Sequence, residues 1–276
     1  MHFFSPCKIN LFFHVVRKRE DGYHDIVSVL QTLSFGDTIT IEPSHSDQLS
    51  CSDETLPMDS RNLVVQAIDL FRNKTEIRTP IALHLEKKVP QQAGLGGGSG
   101  NAATTLWALN HLFCTNLSNQ ELISLAASLG SDTAFFLSGG TALCQGRGEL
   151  LTSLPPIPKQ DLWIVKPQQG LSTPLVYKTL QVKEQQRDID VIITNYQSGQ
   201  FSYFNDLEEP AFTLMPELSS VKKSLLDQGA SHALLCGSGS ALFCLGLEKA
   251  PVVPSHCQVY HCSFVNREES SWYNCC

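Results

Sequence analysis

Residues 90–104 read Pro-Gln-Gln-Ala-Gly-Leu-Gly-Gly-Gly-Ser-Gly-Asn-Ala-Ala-Thr, and this glycine-rich stretch decides the fold. Residues 81–85 before it alternate as a half-buried strand does, and residues 102–109 after it are typical of a helix. A strand, a glycine loop and a helix N-terminus together bind phosphate, because glycine lets the backbone approach an anion and the first N–H groups of a helix have no internal partner. The sequence therefore predicts a phosphate site here and not a flexible linker.

The loop does not fit the glycine motifs of two large enzyme classes. Neither Gly-x4-Gly-Lys-Ser/Thr, the nucleoside triphosphatase motif, nor Gly-x-Ser-x-Gly, the esterase motif, occurs in the chain. Residues 98–103 do fit Gly-x-Gly-x-x-Ala, a form of the dinucleotide fingerprint, and Glu121 lies at about the distance of a ribose-binding acid. A dinucleotide-dependent oxidoreductase therefore stays open as an alternative, although no second βαβ pattern follows directly.

The composition argues against several classes of partner. The chain has 276 residues, enough for one large or two medium domains, and 20 basic against 27 acidic residues give a net charge of −7. No basic cluster indicates a nucleic-acid surface, and no apolar run approaches the roughly 20 residues that cross a bilayer. The first residues lack the basic and apolar regions of a signal peptide. We expect a cytoplasmic protein that binds neither nucleic acid nor membrane.

Ten cysteines are present, and a reducing compartment predicts free thiols in place of disulfides. Several of them lie in apolar runs, where a thiol behaves as a small hydrophobic side chain. The nearest approach to a metal cluster is His256-Cys257 followed by His261-Cys262. Its spacing is not that of a recognised zinc site, and the alternation between the two pairs predicts a strand.

Near the N-terminus, residues 8–16 alternate with the period of a strand. This pattern places Lys8 and Asn10 side by side on one face, and Ile9, Leu11, Phe13 and Val15 on the other.

Turn signals divide the rest of the chain. Asp21-Gly22 delivers Tyr23 and His24 to the start of the next strand, and Phe35-Gly36-Asp37 predicts a turn of a hairpin. Pro155-Pro156-Ile157-Pro158 is the best candidate for a domain boundary, because a second α/β segment begins with the strand at 162–165.

Helix signals flank the glycine loop. Residues 62–71 have apolar residues at helical spacing, and Ser118 to Glu121 form a capping box that begins another helix. Gly130 is expected to end that helix as a C′ glycine, which leaves Asp132 immediately beyond it.

Phosphoryl transfer requires an anchored nucleotide, neutralised charge and a group that positions the acceptor hydroxyl. The glycine loop meets the first requirement. Lys8, on a rigid strand, suits the second, and Asp132, a carboxylate just after a helix, suits the third. Each also has an ordinary interpretation, as a solvated strand lysine and a turn aspartate, and the residues alone leave both open.

Taken together, the motifs resemble those of the GHMP kinase superfamily. The matching segments are Pro-Cys-Lys-Ile-Asn-Leu at 6–11, Asp-Gly-Tyr-His at 21–24, Gly-Leu-Gly-Gly-Gly-Ser-Gly-Asn-Ala-Ala at 94–103, Gly-Ser-Asp-Thr-Ala-Phe-Phe at 130–136, Asn-Asp-Leu-Glu at 205–208 and Cys-Gly-Ser-Gly-Ser at 236–240. The resemblance implies an α+β fold of two α/β domains. The N-terminal domain, 1–153, would be catalytic, would bind ATP and would be similar to domain 2 of ribosomal protein S5. The C-terminal domain, 154–276, would be ferredoxin-like, with the active site in the cleft between the two.

The resemblance also implies roles for individual residues. Lys8 and Asp132 would be the catalytic pair, and Asn10, Tyr23 and His24 would bind the acceptor, with His24 recognising a cytosine. ATP and Mg²⁺ would be the cofactors, with Ser99 on the magnesium side. The residues implied to bind ATP are Lys87, Pro90, Gln91, Gln92, Ala93, Gly94, Leu95, Gly96, Gly97, Gly98, Ser99 and Gly100.

Within the superfamily, Asp-Gly-Tyr-His together with Lys-Ile-Asn-Leu is similar to the members that act in the non-mevalonate route to isoprenoids. Those members phosphorylate the 2-hydroxyl of a methylerythritol linked to cytidine diphosphate. The alternatives are a GHMP kinase for a mevalonate-type, homoserine or sugar acceptor, and a nucleotide-binding regulator without catalysis. We expect small-molecule partners and a monomer or weak homodimer.

The chain departs from the superfamily pattern at Cys7, at Gln91-Gln92-Ala93, at Gly100 and at Thr133-Ala134. None of these departures removes a residue with an implied chemical role. Cys7, next to Lys8, is expected to make the site sensitive to thiol reagents.

Overall fold

The computed structural model describes residues 1–130, 132–182, 187–268 and 270–273. Its strands are β1 (His2–Lys18), β2 (His24–Pro43), β3 (Gln48–Cys51), β4 (Ile81–Glu86), β5 (Thr141–Gly146), β6 (Leu150–Ser153), β7 (Asp161–Pro167), β8 (Phe204–Asn205), β9 (His232–Leu235), β10 (Leu242–Leu245) and β11 (Cys257–Ser263). Its α-helices are α1 (Leu63–Thr75), α2 (Gly97–Leu112), α3 (Asn119–Leu129), α4 (Thr173–Thr179), α5 (Ile189–Gln197), α6 (Glu208–Leu214) and α7 (Glu217–Asp227), and a 3₁₀ turn covers Ala134–Leu137.

Two sheets organise these elements. In the first, β3, β4, β2, β1 and β8 lie side by side in that order, and β5 pairs with β2 and with β6. The second has four antiparallel strands in the order β11, β7, β10, β9. Numbered along the chain, that is the 4-1-3-2 order of a ferredoxin-like sheet, which agrees with the predicted two-domain α+β fold. The connection from β10 to β11, residues 246–256, contains no helix.

The two halves of the chain are not separate in space. The predicted boundary at 153/154 coincides with the end of β6, the last strand of the first sheet before β7, and it stays a prediction. Further along, β8 pairs in parallel with β1 at Phe12 and Phe13. Trp272 stacks on Trp107 of α2, with 5.1 Å between the ring centroids. Segments from the second half therefore complete the layer around the first sheet.

Hydrophobic side chains form two buried clusters. One includes Phe71 of α1 and Leu106 of α2, which pack beside the first sheet. The other joins Ile9 of β1 to Ile164 and Phe243 of the second sheet, so β1 lies between the two halves of the core.

In the described part of the chain, no helix combines the length and apolar character needed to span a bilayer.

A β-bulge changes which residues of β1 share a face. The register of β1 on β2 shifts between Asn10 and Phe12, so Leu11 is an extra residue in this strand. Beyond the bulge, Phe13 lines the same cavity as Lys8 and Asn10. The prediction that Phe13 lies on the face opposite Lys8 is therefore wrong.

β2 runs without interruption through Gly36, where the sequence predicts a hairpin turn, and that prediction is wrong. Glycine is required there because an added Cβ would lie 2.3 Å from the carbonyl oxygen of Ser5 on the neighbouring strand. Asp37 is fully buried, and its carboxylate accepts the N–H groups of Lys88 and Val89 at 2.7 and 2.8 Å. The apparent turn signal thus marks a close approach of two strands and a buried carboxylate.

The helix ends agree with the sequence in two cases and differ in a third. Asn62 caps α1 by accepting the N–H of Val64, and Ser118 and Glu121 form the predicted capping box of α3. Gly130 does end α3, but its φ of 167° is extended backbone and not the left-handed conformation of a C′ glycine.

Candidate active site

Lys8 lies on β1 with its side chain almost completely buried. Its Nζ donates a hydrogen bond to Oδ1 of Asn10 at 2.9 Å and lies 3.5 Å from Oδ2 of Asp132. Asn10 in turn donates to Oγ of Ser28 at 2.7 Å, which fixes its carbonyl oxygen toward the lysine. The ammonium is therefore held in one position, as the stabilisation of a developing charge requires.

Asp132 follows α3, and its side chain is 36% exposed, so it opens onto a cavity while it contacts the buried amine of Lys8. The N–H of Thr133 donates to the carbonyl oxygen of Gly130 at 3.1 Å, which forms a tight turn around Asp132. The structure thus brings together the two residues predicted as a catalytic pair. A small molecule can reach the carboxylate, whose charge the lysine balances.

The glycine loop lies directly against β1. The backbone N–H of Lys8 donates to the carbonyl oxygen of Leu95 at 2.9 Å. α2 begins at Gly97, and its N-cap Gly96 has a φ of 68° and offers no side-chain cap, which leaves the first N–H groups of the helix for an anion. An added Cβ on Gly96 would lie 3.0 Å from Cγ of Lys8, so the helix N-terminus and the amine are neighbours.

The other residues predicted to bind ATP are divided between two places. Gly94 lines the cavity at Lys8, and Gly98 and Ser99 lie in the first turn of α2. Ala93, Leu95 and Gly100 are buried. Pro90, Gln91 and Gln92 line a separate cavity of about 650 Å³, where the amide of Gln91 donates to Asp53 at 2.8 Å.

A second glycine-rich segment, the turn at residues 237–239, closes the cavity on the side of the second sheet. An added Cβ on Gly94, whose φ is 76°, would lie only 1.8 Å from the carbonyl oxygen of Cys236. Gly237 has a φ of 52°, and an added Cβ there would lie 3.4 Å from Nζ of Lys8. Small residues are therefore required where the turn, the loop and the lysine meet.

Asn205 of β8 fixes the position of this turn. Its Nδ2 donates to the carbonyl oxygens of Leu235 at 2.9 Å and Gly237 at 2.7 Å, while its Oδ1 accepts the N–H of Leu207 at 2.9 Å. The side chain is buried, so these bonds are shielded from water. The sequence includes Asn205 in a matching motif without indicating this role.

Lys87 is held in a buried ion pair beside the N-terminus of α2. Its Nζ contacts the carboxylate of Asp37 and lies 3.3 Å from Oδ1 of Asn101. The amide of Asn101 donates to the same carboxylate at 2.8 Å. An added Cβ on Gly97 would lie 3.5 Å from the lysine Nζ, so Lys87 does lie next to the predicted phosphate site.

Tyr23 and His24 each contact a residue that lines the cavity, and the sequence indicates neither of these two lining residues. The ring of His24 contacts that of Tyr177 in a tilted arrangement, with centroids 5.1 Å apart, and burial, followed by the charge of Lys18, lowers the pKa of His24. The guanidinium of Arg147 lies 5.1 Å from the ring centroid of Tyr23. Arg147 and Tyr177 both line the cavity that contains Lys8 and Asp132, whereas Tyr23 and His24 are not part of its lining and contact these two residues.

These groups enclose a cavity of about 290 Å³. A larger cavity of about 1210 Å³ lies near His14 and Asp206, but it contains neither member of the catalytic pair. The amine, the carboxylate and the glycine loop that the sequence predicts as functional converge in the smaller cavity.

The comparison with known proteins agrees with this geometry. The pattern of the GHMP kinases N terminal domain matches residues 62–140, and that of the GHMP kinases C terminal matches residues 186–253. A protein of Protochlamydia amoebophila named 4-diphosphocytidyl-2-C-methyl-D-erythritol kinase is 46% identical over 272 residues, which cover 98% of this chain and 92% of that protein. The chain belongs to the 4-diphosphocytidyl-2-C-methyl-D-erythritol kinase family.

Plant proteins and solved structures are also similar to this chain. A chloroplastic 4-diphosphocytidyl-2-C-methyl-D-erythritol kinase of Arabidopsis thaliana is 39% identical over 98% of the chain and 75% of its own length. A crystal structure of 4-(cytidine 5'-diphospho)-2C-methyl-D-erythritol kinase superposes with a TM-score of 0.81 at 32% identity, covering 96% of this kinase and 99% of that chain. A homoserine kinase of Cytophaga hutchinsonii covers 98% of the chain and 96% of its own length with a TM-score of 0.68, but at 19% identity it shows the fold alone.

The kinase architecture removes the structural basis of the oxidoreductase alternative. A dinucleotide fingerprint needs a parallel, doubly wound sheet in front of it. Here the loop follows β4, which pairs antiparallel with β2 and parallel only with the short strand β3. The match at residues 98–103 is therefore a product of the glycine run.

Proposed function

We propose that this chain transfers the γ-phosphoryl group of ATP to the 2-hydroxyl of 4-diphosphocytidyl-2-C-methyl-D-erythritol. The observation that carries the proposal is the pair of Lys8 and Asp132, 3.5 Å apart beside the N-terminus of α2. Membership of the kinase family supplies the reaction and the acceptor.

In this reaction the acceptor oxygen forms a bond to the γ-phosphorus, and the bond between that phosphorus and the bridging oxygen of ADP breaks. Asp132 accepts the proton of the hydroxyl, or holds the hydroxyl in line for attack, because its exposed carboxylate faces the cavity. The ammonium of Lys8 stabilises the negative charge that develops on the acceptor and on the transferred group.

The glycine loop would hold the nucleotide. The N–H groups of the first turn of α2 point toward the phosphates with the positive end of the helix dipole behind them. Mg²⁺ prefers oxygen ligands and is usually held by one or two protein groups together with substrate phosphates, so the half-buried hydroxyl of Ser99 in this turn fits as a ligand. When bound, the ion would neutralise phosphate charge. Ser99→Ala is then expected to raise the Mg²⁺ concentration required for the half-maximal rate.

The edge of the cavity suits the cytidine diphosphate part of the acceptor. Tyr23 and Tyr177 offer aromatic faces to a pyrimidine, and His24, whose pKa is lowered by burial, offers hydrogen bonds to the edge of the ring. Asn10 lines the interior next to the amine. The guanidinium of Arg147 offers a charge for the acceptor's diphosphate.

The proposal is tested by measuring ADP release with the cytidyl acceptor and, separately, with mevalonate, homoserine and galactose. We expect turnover with the cytidyl compound. Faster turnover of another alcohol would overturn the proposed acceptor and favour another GHMP kinase activity.

The role of Asp132 is tested with Asp132→Asn and, as a control, Asp69→Asn on the exposed side of α1. Asp132→Asn is expected to lower kcat by about 10²- to 10⁴-fold, because the proton acceptor is lost, while the Kd for ATP changes little. Asp69→Asn should leave both constants unchanged. Full turnover in Asp132→Asn would instead identify a nucleotide-binding protein that does not use this carboxylate.

We also retain the predictions of a cytoplasmic location and of a monomer or weak homodimer. The family acts on a small molecule and ATP, which requires no partner chain in the cavity. Light scattering across a range of protein concentrations measures the oligomeric state directly.

A further inference from the structure

Three metal-binding types of side chain converge outside the cavity that contains Lys8 and Asp132. Glu217 is the first residue of α7, Cys257 is the first residue of β11, and His256 directly precedes that strand. A carboxylate oxygen, an imidazole nitrogen and the sulfur of these residues all lie within 4.8 Å of one another. Nε2 of His256 contacts Oε1 of Glu217 directly.

The backbone positions these three side chains on ordered elements. The N–H of Gln168 donates to the carbonyl oxygen of His256 at 3.0 Å, and the N–H of Cys257 donates to the carbonyl oxygen of Pro254 at 2.9 Å. Glu217 is carried by the first turn of an eleven-residue helix. The backbone at these positions is therefore already in place before an ion binds.

This set differs from the two His-Cys pairs, whose spacing in the sequence is not that of a zinc site. Of the pairs His256-Cys257 and His261-Cys262, only the first takes part. The ring of His261 lies tilted against that of Trp163, with 4.6 Å between ring centroids, and Cys262 is buried in the core. The second ligand group comes instead from Glu217, a residue about 40 positions earlier in the chain, which no local spacing rule connects to His256.

We propose that Glu217, His256 and Cys257 bind one zinc ion, with water as the fourth ligand. Sulfur, imidazole nitrogen and carboxylate oxygen are the donor types that zinc takes in proteins, whereas magnesium and calcium prefer oxygen alone. Neighbouring ligand atoms around a tetrahedral zinc lie roughly 3.3–3.8 Å apart, as bond lengths of about 2.0–2.3 Å require, so these side chains need only small adjustments. Binding releases the thiol proton of Cys257 to solvent.

Such an ion would join α7 to the edge of the second sheet. His256 also lines the cavity that contains Gln91 and Gln92, so the site lies behind the opening of the glycine loop and outside the catalytic cavity. The contrary interpretation is a simple surface ion pair, since the side chains of His256 and Glu217 are 45% and 39% exposed.

The test uses the full-length reduced protein without a histidine tag, stripped of metal with a chelator and then desalted. Zinc is titrated in competition with a chromophoric chelator. We expect one equivalent to bind per chain, and Cys257→Ser and His256→Asn to weaken binding by at least about tenfold, since loss of even an outer-shell partner costs 10- to 100-fold.

Two matched variants serve as controls. His261→Asn changes the neighbouring exposed histidine of β11, and Cys114→Ser removes an exposed thiol elsewhere, so both should bind zinc as the wild type does. Cobalt should produce a thiolate charge-transfer band that is absent in Cys257→Ser. Equal zinc binding by Cys257→Ser, or loss of binding in either control, would overturn the proposal. None of these measurements depends on kinase turnover.

Discussion

The side chain of Lys8 is buried and closely surrounded by neighbouring residues. Asn10 and Asp132 contact its amine, and glycines 96 and 237 leave room for its stem and its amine, respectively. The position of this amine therefore depends on the shape of its surroundings.

Replacing the amine separates its chemical role from its role in stability. Lys8→Met is expected to lower kcat by about 10²-fold or more, because the fixed charge beside Asp132 is lost. The free energy of unfolding should change by no more than about 1–2 kcal/mol, since an apolar group of similar size also removes the cost of burying the ammonium. Steady-state kinetics and urea denaturation measure the two effects. A variant that keeps its kcat would contradict the assignment of Lys8.

Arg147 gives a prediction about acceptor binding. It lies in the turn after β5, with its guanidinium over Tyr23 at the mouth of the cavity. Arg147→Gln is expected to raise the KM for the cytidyl acceptor by about tenfold or more, because a hydrogen bond to a charged group is lost, and to leave the KM for ATP unchanged. Arg78→Gln, an exposed arginine near the end of α1, is the matched control. An unchanged acceptor KM would remove Arg147 from the site.

For individual residues, the sequence identifies those that lie in motifs. It misses those that only tertiary contacts bring to the site. Lys8, Asn10 and Asp132 stand in recognisable local patterns, and the structure places them together. Tyr177 and Arg147 have no such pattern, because their position beside His24 and Tyr23 depends on the packing of distant elements. No period or spacing in a single sequence carries that information.

Among the elements, the first turn of α2 contains two glycines with different surroundings. An added Cβ on Gly100 would lie 2.3 Å from the carbonyl oxygen of Pro6, whereas one on Gly98 would meet nothing closer than 3.8 Å. Neither glycine has a positive φ. The two positions therefore differ in the space around them and not in backbone conformation.

This difference yields a paired prediction. Gly100→Ala is expected to destabilise the protein by about 1–3 kcal/mol, because α2 must move away from β1 to relieve the contact. Gly98→Ala should leave the free energy of unfolding within about 1 kcal/mol of the wild type, since alanine suits a helix. Urea denaturation of both variants provides the comparison. Equal destabilisation would show that the close contact with Pro6 is not what requires glycine.

The elements also show where sequence patterns are ambiguous. A glycine next to an aspartate predicts a turn at 35–37, yet the same residues allow two strands to approach closely and bury a carboxylate. Likewise, the alternation along β1 is correct up to Asn10 and fails after it, because a bulge adds one residue that hydrophobicity cannot reveal. The glycine loop is predicted correctly, because a strand, a loop and a helix in succession are all local features.

For the whole molecule, buried thiols predict how stability depends on pH. Burial raises the pKa of Cys144 and of Cys262 from the ordinary value of 9.0 to about 12, and the thiols of Cys7 and Cys236 are also shifted upward by burial. Above pH 9, the unfolded chain loses these protons while the folded chain retains them. The stabilisation is therefore complete below pH 9 and is lost as the pH rises toward 12.

The expected slope is ~1.4 kcal/mol per pH unit for each thiol that ionises only after unfolding. Urea denaturation between pH 8 and 10 measures it, and Cys144→Ala should reduce the slope. A free energy of unfolding that stays constant up to pH 10 would contradict the prediction. Burial also argues against the expected sensitivity of Cys7 to thiol reagents, because a fully buried neutral thiol is a poor nucleophile.

The parts of the active site are widely spaced along the chain, and this has a consequence during synthesis. Lys8 leaves the ribosome early, but the glycine turn that packs against it is made about 230 residues later. At a synthesis rate of roughly 5–20 residues per second, about 10 to 50 seconds pass between the synthesis of Lys8 and that of the turn. A nascent chain that stalls before this turn is made already exposes both the amine and the glycine loop. The cleft between the loop and the turn has not yet formed.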